Sequence, residues 1–389
     1  GNNSTSGSIY IQSAQLETGL VATDVLTSGA TTAKAGVLID LPRINYDANG
    51  ENGALLLEPS RQQLLQYSEY FGGWTLSNST ITSNATTSPE GVNNASLYTS
   101  TNVTNYVRNI ITASNATYTL SVFVKRVSTD EFRMNFSDGV TGEIRYVFNL
   151  ADETSTLTKS GGTISGYSAD FENYGNGWYR LHITATTNAG TAITAYFETD
   201  NETGSFYLYG AMLEQNASYQ SSYIPNHGTS GGVTRAADSC SVTGASDVIG
   251  QTEGTIYLDI QTPDAIQSNT TFSIGGGTSS EYAQLEIRTD LSINWRYRQG
   301  GTDYINANVG SYSAGDRLKL AFGYKNGDSI LYLNGSSIAT DTGSIASNSW
   351  DEVKYSNFTD TGKLEASVYE TTLFTERLTN AELATLTTL

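Results

Sequence analysis

The feature that most constrains this chain is a strict two-residue alternation of apolar and polar side chains, broken at short intervals by turn residues. In Tyr118-Thr-Leu-Ser-Val-Phe-Val-Lys-Arg, Leu120, Val122 and Val124 fall on one face and Ser121, Phe123 and Lys125 on the other. Successive side chains point to opposite faces only in an extended strand, so this spacing predicts half-buried β-structure. Phe132-Arg-Met-Asn-Phe, Arg145-Tyr-Val-Phe-Asn-Leu, Trp178-Tyr-Arg-Leu-His-Ile-Thr-Ala and Ala195-Tyr-Phe-Glu repeat the pattern, separated by Gly, Asn and Asp clusters. Many short strands with turn signals between them read as a β-sandwich.

The second half behaves alike. Gly254-Thr-Ile-Tyr-Leu-Asp-Ile, Ala283-Gln-Leu-Glu-Ile-Arg, Ser292-Ile-Asn-Trp-Arg-Tyr-Arg, Arg317-Leu-Lys-Leu-Ala-Phe-Gly-Tyr and Ser329-Ile-Leu-Tyr-Leu-Asn-Gly are strands. Asn334-Gly335 suits a two-residue hairpin turn, where both residues need positive φ. One helix is expected, at the C-terminus. Thr379 caps it, Glu382 completes a capping box, and Leu383 and Leu386 form its apolar stripe. The expected fold is therefore all-β, with two β-sandwich (jelly-roll) domains and a short C-terminal helix.

Four segments are read along the chain. Residues 7–17 and 204–214 align without gaps and share six of eleven residues. Residues 204–214 close a domain, so 1–26 is read as the last strand of an upstream repeat. Residues 27–64 read as a connecting β-hairpin around Asp47-Ala-Asn-Gly50. Residues 65–235 form the first sandwich and 236–389 the second.

Charge narrows the function. Lys plus Arg number 20 against 39 Asp plus Glu, a net charge of −19. Nucleic-acid binding rests on cations neutralising phosphates, so that class is excluded, as is an anionic membrane surface. No apolar run reaches the ~20 residues of a membrane span. Cys240 is single, which excludes an intrachain disulfide and reads as a small buried hydrophobe. With only His182 and His227 beside it, zinc is not expected. The first residue is Gly, so the chain is read as processed or as part of a longer protein.

Two sets of motifs carry family resemblances. Gly254-Thr-Ile-Tyr-Leu-Asp-Ile, Leu318-Lys-Leu-Ala-Phe-Gly-Tyr, Leu331-Tyr-Leu-Asn-Gly and Phe374-Thr-Glu-Arg-Leu-Thr before the helix resemble the concanavalin-A-like (laminin-G-like) family. Gly53-Ala-Leu-Leu-Leu-Glu-Pro-Ser-Arg, Tyr67-Ser-Glu-Tyr-Phe, Gly177-Trp-Tyr-Arg, Leu208-Tyr-Gly-Ala-Met-Leu-Glu, Ser222-Tyr-Ile-Pro and Thr234-Arg-Ala-Ala-Asp resemble modules of bacteriophage tail-fibre and other virion appendage proteins. Those modules are similar to carbohydrate-binding jelly rolls. The resemblance implies an extracellular virion fibre or receptor-binding protein, with host glycans and other virion proteins as partners and a homotrimer as the common assembly.

No catalytic motif stands out. The laminarinase-like branch of concanavalin-A-like enzymes carries Glu-x-Asp-x-x-Glu, and Glu286-Ile-Arg-Thr-Asp290 lacks the second Glu. A non-enzyme is expected. Sugars stack their C–H faces on aromatic rings, which points to Trp295, Tyr297, Tyr304 and Trp74 as carbohydrate-binding candidates. Trp295 and Tyr297 share one face of a strand, and Arg296 and Arg298 share the other. If the aromatic face is solvated it makes a sugar platform; if the arginine face is, the two rings are core. Trp178 reads as core. Structural calcium is the one cofactor considered, with oxygen ligands among Glu198, Asp200, Asn201, Glu202, Asp341 and Asp351. Three readings result: a virion fibre that attaches to host surface glycans, a purely structural virion fibre or decoration protein, and the carbohydrate-binding portion of a secreted polysaccharide-degrading enzyme.

Overall fold

The structure is a computed structural model that describes residues 42–46 and 51–389. The upstream-repeat segment 1–26, its counterpart of the strand at 204–214, and the turn at 47–50 lie outside the described residues. The fold is all-β, built from antiparallel sheets, with one short C-terminal α-helix.

Two compact units divide the described chain. One comprises Gln63–Leu213 and Tyr223–Val233, the other Pro42–Gln62, Glu214–Ser222 and Thr234–Leu389. The hairpin read as a connector belongs with the second unit. Its strand Ala54–Leu57 pairs with Ile44–Asn45 on one side and with Ala366–Phe374 on the other, so it extends a sheet. Leu57 sits in that unit's core, which is why a connector carries so many Leu residues.

In the first unit, a six-stranded sheet runs in the order Thr154–Lys159, Glu143–Asn149, Glu131–Ser137, Ala192–Thr199, Tyr106–Thr112, Thr75–Ser77. The facing sheet contains Ile164–Gly175, Trp178–Thr187, Thr117–Arg126 and Ser205–Gln215, with Ala95–Ser100 and Ser79–Thr86 beyond. The alternating side chains meet between the sheets. Leu120, Val122 and Val124 pack with Phe132, Met134, Phe136, Phe197, Leu208 and Leu213 in one apolar core. Burial of such side chains drives the sandwich, at about 1.5–3 kcal/mol each.

The second unit repeats the plan. A seven-stranded sheet runs Ile44–Asn45, Ala54–Leu57, Ala366–Phe374, Glu253–Gln261, Arg317–Lys325, Ser329–Leu333, Ser336–Asp341. A six-stranded sheet runs Ser241–Thr243, Glu352–Lys354, Thr270–Thr278, Glu281–Ile287, Ile293–Gln299, Thr302–Val309. Asn334 and Gly335 have φ of 47° and 82°, and Leu333 faces Ser336 across the two-residue turn they make. The helix Asn380–Leu386 has the expected reciprocal cap, with Thr379 accepting from the Glu382 N–H. Its Leu383 is buried against Tyr257, Ala321, Ile330 and Tyr332, so it covers the outer face of the seven-stranded sheet.

Two motif segments of the second unit meet as a lock. Glu58 pairs with Arg43 and, at 2.8 Å, with Arg235. The Glu58 N–H donates to Asp238 at 2.7 Å, and Asp238 also binds Arg43. The Ser222 N–H donates to the Glu58 carboxylate at 2.7 Å. Gly53-Ala-Leu-Leu-Leu-Glu-Pro-Ser-Arg and Thr234-Arg-Ala-Ala-Asp are thus joined by partly buried ion pairs and hydrogen bonds around the buried Glu58.

Candidate functional site

The same alternation that fills the first core builds a polar surface on the opposite face of the six-stranded sheet. In Glu131–Ser137, Phe132, Met134 and Phe136 point inward, leaving Arg133, Asn135 and Ser137 outside. Ala192–Thr199 turns Ile193, Ala195 and Phe197 inward, leaving Thr194, Tyr196 and Glu198 outside. Tyr106, Arg108 and Ile110 are the matching residues of Tyr106–Thr112. Register places Arg145 opposite Asn135, Asn135 opposite Tyr196, and Tyr196 opposite Arg108. Arg133 lies opposite Glu198.

A groove of about 430 Å³ on this face is lined by Tyr106, Arg133, Asn135, Glu143, Arg145, Tyr196 and Glu198, and Arg108 contacts its two tyrosines without lining it. Two tyrosines form one wall, edge to face, with ring centroids 5.4 Å apart. Arg133 donates through Nε to Glu198 at 3.0 Å and through Nη1 to Asp200 at 2.7 Å. Asn135 and Arg145 donate to the same Glu143 oxygen, at 2.8 and 2.7 Å, and Lys159 pairs with the other oxygen. Burial pushes the Glu198 carboxyl above its ordinary value, and Arg133 only partly offsets this. At Glu143 the opposing desolvation is outweighed by Lys159, Arg145 and Asn135, which hold its carboxyl below the ordinary value.

Not all hydrogen-bonding capacity is used. The Asn135 Oδ1, the Arg108 Nε and the Arg145 Nε are shielded from solvent and have no partner within the protein. Unmade hydrogen bonds at buried polar groups are costly, so such groups in a native structure call for an explanation. The groove above them joins aromatic rings to polar side chains, an arrangement suited to a polyhydroxylated ligand. Hydroxyls meet fixed donors and acceptors, and C–H faces meet the rings.

The aromatic candidates read from the sequence are mostly elsewhere. Trp295 and Tyr297 are 2% and 0% exposed and belong to the second core, which corrects their reading as a sugar platform. Trp295 packs edge-on to Phe322 at 5.2 Å, and the Tyr297 hydroxyl donates to the Ala346 carbonyl at 2.8 Å. The solvated face is the arginine one, where Arg296 holds Asp303 through two bonds of 2.8 and 2.6 Å. Solvating two guanidinium groups and burying two aromatic rings is the favourable choice. Trp74 is also buried, which corrects its reading as a carbohydrate-binding candidate; it is stacked on Phe197 at 5.5 Å, with Nε1 donating to the Gln66 and Tyr67 carbonyls. Tyr304 is exposed, at 40%, and has no second exposed ring beside it among its ring contacts.

Other residues singled out earlier also have definite places. Trp178 is buried, in a cluster with Phe123 and Tyr209 on the outer face of its sheet. With Tyr174, Lys125 and Asn176 it lines a second groove of about 420 Å³. His182 is half-buried, and desolvation holds it down at about 4. His227 is exposed, and Cys240 is partly buried against the second core. The Glu198 and Asp200 carboxylates are engaged by Arg133. Asp341 accepts the Gly343 N–H at 2.8 Å. Among the described residues no group of three His, Cys, Asp or Glu side chains is arranged to hold a metal ion. Glu286, from the incomplete catalytic motif, pairs with Arg288 at 2.7 Å.

The groove itself was missed at the sequence level. Its signal was present as Arg, Asn and Tyr at the polar positions of central strands, where Ser and Thr are the bland alternative. Bringing Arg133 to Glu198 and Asn135 to Tyr196 needed the strand order, which alternation does not encode.

No protein-family model matches the sequence, and no curated protein matches it. Among solved structures, the chain is similar to the CBM40 module of Ruminococcus gnavus IT-sialidase bound to α2,3-sialyllactose. The two are 19% identical with a TM-score of 0.31, covering 36% of this chain and 84% of that one. It is similar to the SAP-like pentraxin of Limulus polyphemus at 15% identity and a TM-score of 0.30, over 36% of this chain and 72% of that one. A toad ovary galectin in complex with thio-digalactose is 12% identical with a TM-score of 0.26, over 36% of this chain and 99% of that one.

Proposed function

We propose that this chain is a non-catalytic glycan-binding protein whose first unit takes a saccharide in the Tyr106–Tyr196 groove. The carrying observation is the cross-strand row Arg145, Asn135, Tyr196, Arg108, which sets hydrogen-bonding groups and a tyrosine ring side by side on one rigid sheet face. Sites built on strands are held more precisely than sites on loops, which suits recognition of hydroxyl stereochemistry. The tail-fibre resemblance of residues 40–245 supports an extracellular setting on a virion surface. There the protein would attach to host surface glycans as a fibre or receptor-binding component, assembled with other virion proteins, with a homotrimer as its expected form.

The test is a glycan array probed with the intact protein, followed by titration of the best ligand into Tyr196→Ala and Tyr106→Ala. The expected result is glycan binding by the parent, weakened about tenfold or more in each variant, since a stacking contact is worth about 0.5–1.5 kcal/mol beyond its buried area. Binding to no glycan would overturn the reading and leave a purely structural fibre as the better account.

A further inference from the structure

The charges that line the groove pair off, and one cation beside it does not. Arg133 and Arg145 line it against Glu143 and Glu198, Asp200 and Lys159 join the same ion pairs, and Arg108 stands against its two tyrosines. Each carboxylate is already engaged. Arg133 takes Glu198 and Asp200, while Arg145 and Lys159 share Glu143. Arg108 has no carboxylate partner among the described residues. Its cross-strand neighbours are Tyr196 on one side and Thr75 on the other, both neutral.

Arg108 is nevertheless held in place. Its guanidinium carbon lies 5.2 Å from the Tyr106 ring centroid and 5.6 Å from that of Tyr196, the two rings that wall the groove. Its Nη1 donates to the Tyr196 hydroxyl at 3.1 Å, and its Nε has no partner. An arginine fixed by aromatic rings and left without an anion is a preorganised half of an ion pair. Its planar fork matches a carboxylate, and a partly desolvated site strengthens the bond relative to open water. In a chain of net charge −19, an excess cation at a groove is not a by-product of a generally basic surface.

We propose that the groove selects an acidic saccharide, one whose sugar carries a carboxylate of the uronic-acid type, with Arg108 as the residue that reads the charge. The inference rests on the glycan-binding reading above and adds the ligand class to it. The carboxylate engages Arg108 at the tyrosine end. The rest of the sugar lies along the row over Asn135 and Arg145, which line the groove.

The experiment is calorimetric titration of the intact protein with three probes: a galacturonate hexamer, the same hexamer with its carboxyls reduced to alcohols, and a sulfated hexamer of that neutral sugar. Acidic and carboxyl-reduced pairs of other linkages are run beside them on an array. The acid should bind at least about tenfold more tightly than its reduced form, the loss expected when a charge-assisted hydrogen bond is removed. Arg108→Gln should erase that preference while leaving the melting temperature unchanged, and Arg108→Lys should retain part of it. The preference should shrink as salt is raised. Equal binding of acid and reduced forms, or an unchanged preference in Arg108→Gln, would sink this inference and leave glycan binding standing. Tighter binding of the sulfated probe than of the acid would overturn the carboxylate assignment in favour of a sulfated ligand. Binding of none of the pairs would overturn both.

Discussion

Glu58 and Glu198 are both buried glutamates facing arginine, one in each unit, and they are held in opposite ways. Burial alone would raise Glu58, but Arg235, the Ser222 N–H and Arg43 together outweigh it and hold the carboxyl below its ordinary value. Burial raises Glu198 too, and there Arg133 does not make up the difference, with Glu143 adding repulsion. The first network over-compensates its buried carboxylate, with partners from chain segments brought together by folding. The second borders a groove and is under-compensated from within. The difference lies in the charge that surrounds each carboxylate, since each region also holds an arginine Nε without a partner.

The comparison can be broken most forcefully at the lock. Glu58→Ala should lower the stability of the second unit by about 3 kcal/mol, because the partly buried Arg235 loses its carboxylate, Arg43 keeps only Asp238, and the Ser222 N–H loses its acceptor. A denaturant titration that resolves the unfolding of this unit would read it, and a loss below about 1 kcal/mol would mean the network is only decorative. A similar loss, about 3–5 kcal/mol, is expected for Trp295→Ala as a large-to-small change in the core, with sugar binding unaffected. Its neighbour on the other face, Arg296→Ala, should cost under about 1 kcal/mol, since the Asp303 pair is solvated.

Acid titration separates the two glutamates more finely. The folded pKa of Glu58 lies below its ordinary 4.5, so its stabilising contribution is complete above that value and is lost as pH falls through the folded pKa. The folded pKa of Glu198 lies above 4.5, so its effect has the other sign: a cost absent below 4.5 that develops as pH rises through the folded value. Melting temperature against pH should therefore fall less steeply on the acid side in Glu58→Gln, at a generally lower level, with the lowered carboxyls of Glu143 and Asp303 keeping the rest of the fall. The smallest effect is expected from Glu198→Gln, which at neutral pH should leave stability within about 1 kcal/mol of the parent or raise it, the Arg133–Asp200 bond remaining. A large destabilisation would show that Glu198 is a second lock, and the contrast would fail.

Much of the fold was legible because alternation reports directly on one-sided burial. The inward residues of Thr117–Arg126 and Glu131–Ser137, the Asn334-Gly335 turn and the Thr379–Glu382 cap all follow from contacts within a few residues. The aromatic candidates show the limit. In Ile293–Gln299 the alternation separates Trp295 and Tyr297 from Arg296 and Arg298 but is symmetrical as to which pair faces water. That choice belongs to the partner sheet, where Phe322 and Tyr324 wait for the rings.

By itself, then, the order of residues determined that the chain is all-β, where most strands and turns fall, and which side chains share a face. Local sterics and two-residue periodicity are enough for that. Only the tertiary structure decided which face is core, that the Leu-rich hairpin joins the second unit, and that Arg108, Asn135, Arg145 and Tyr196 stand in one row. Those facts depend on strand order and register between segments tens of residues apart, and such pairings are selected by the packing of the whole sandwich rather than by any stretch of it.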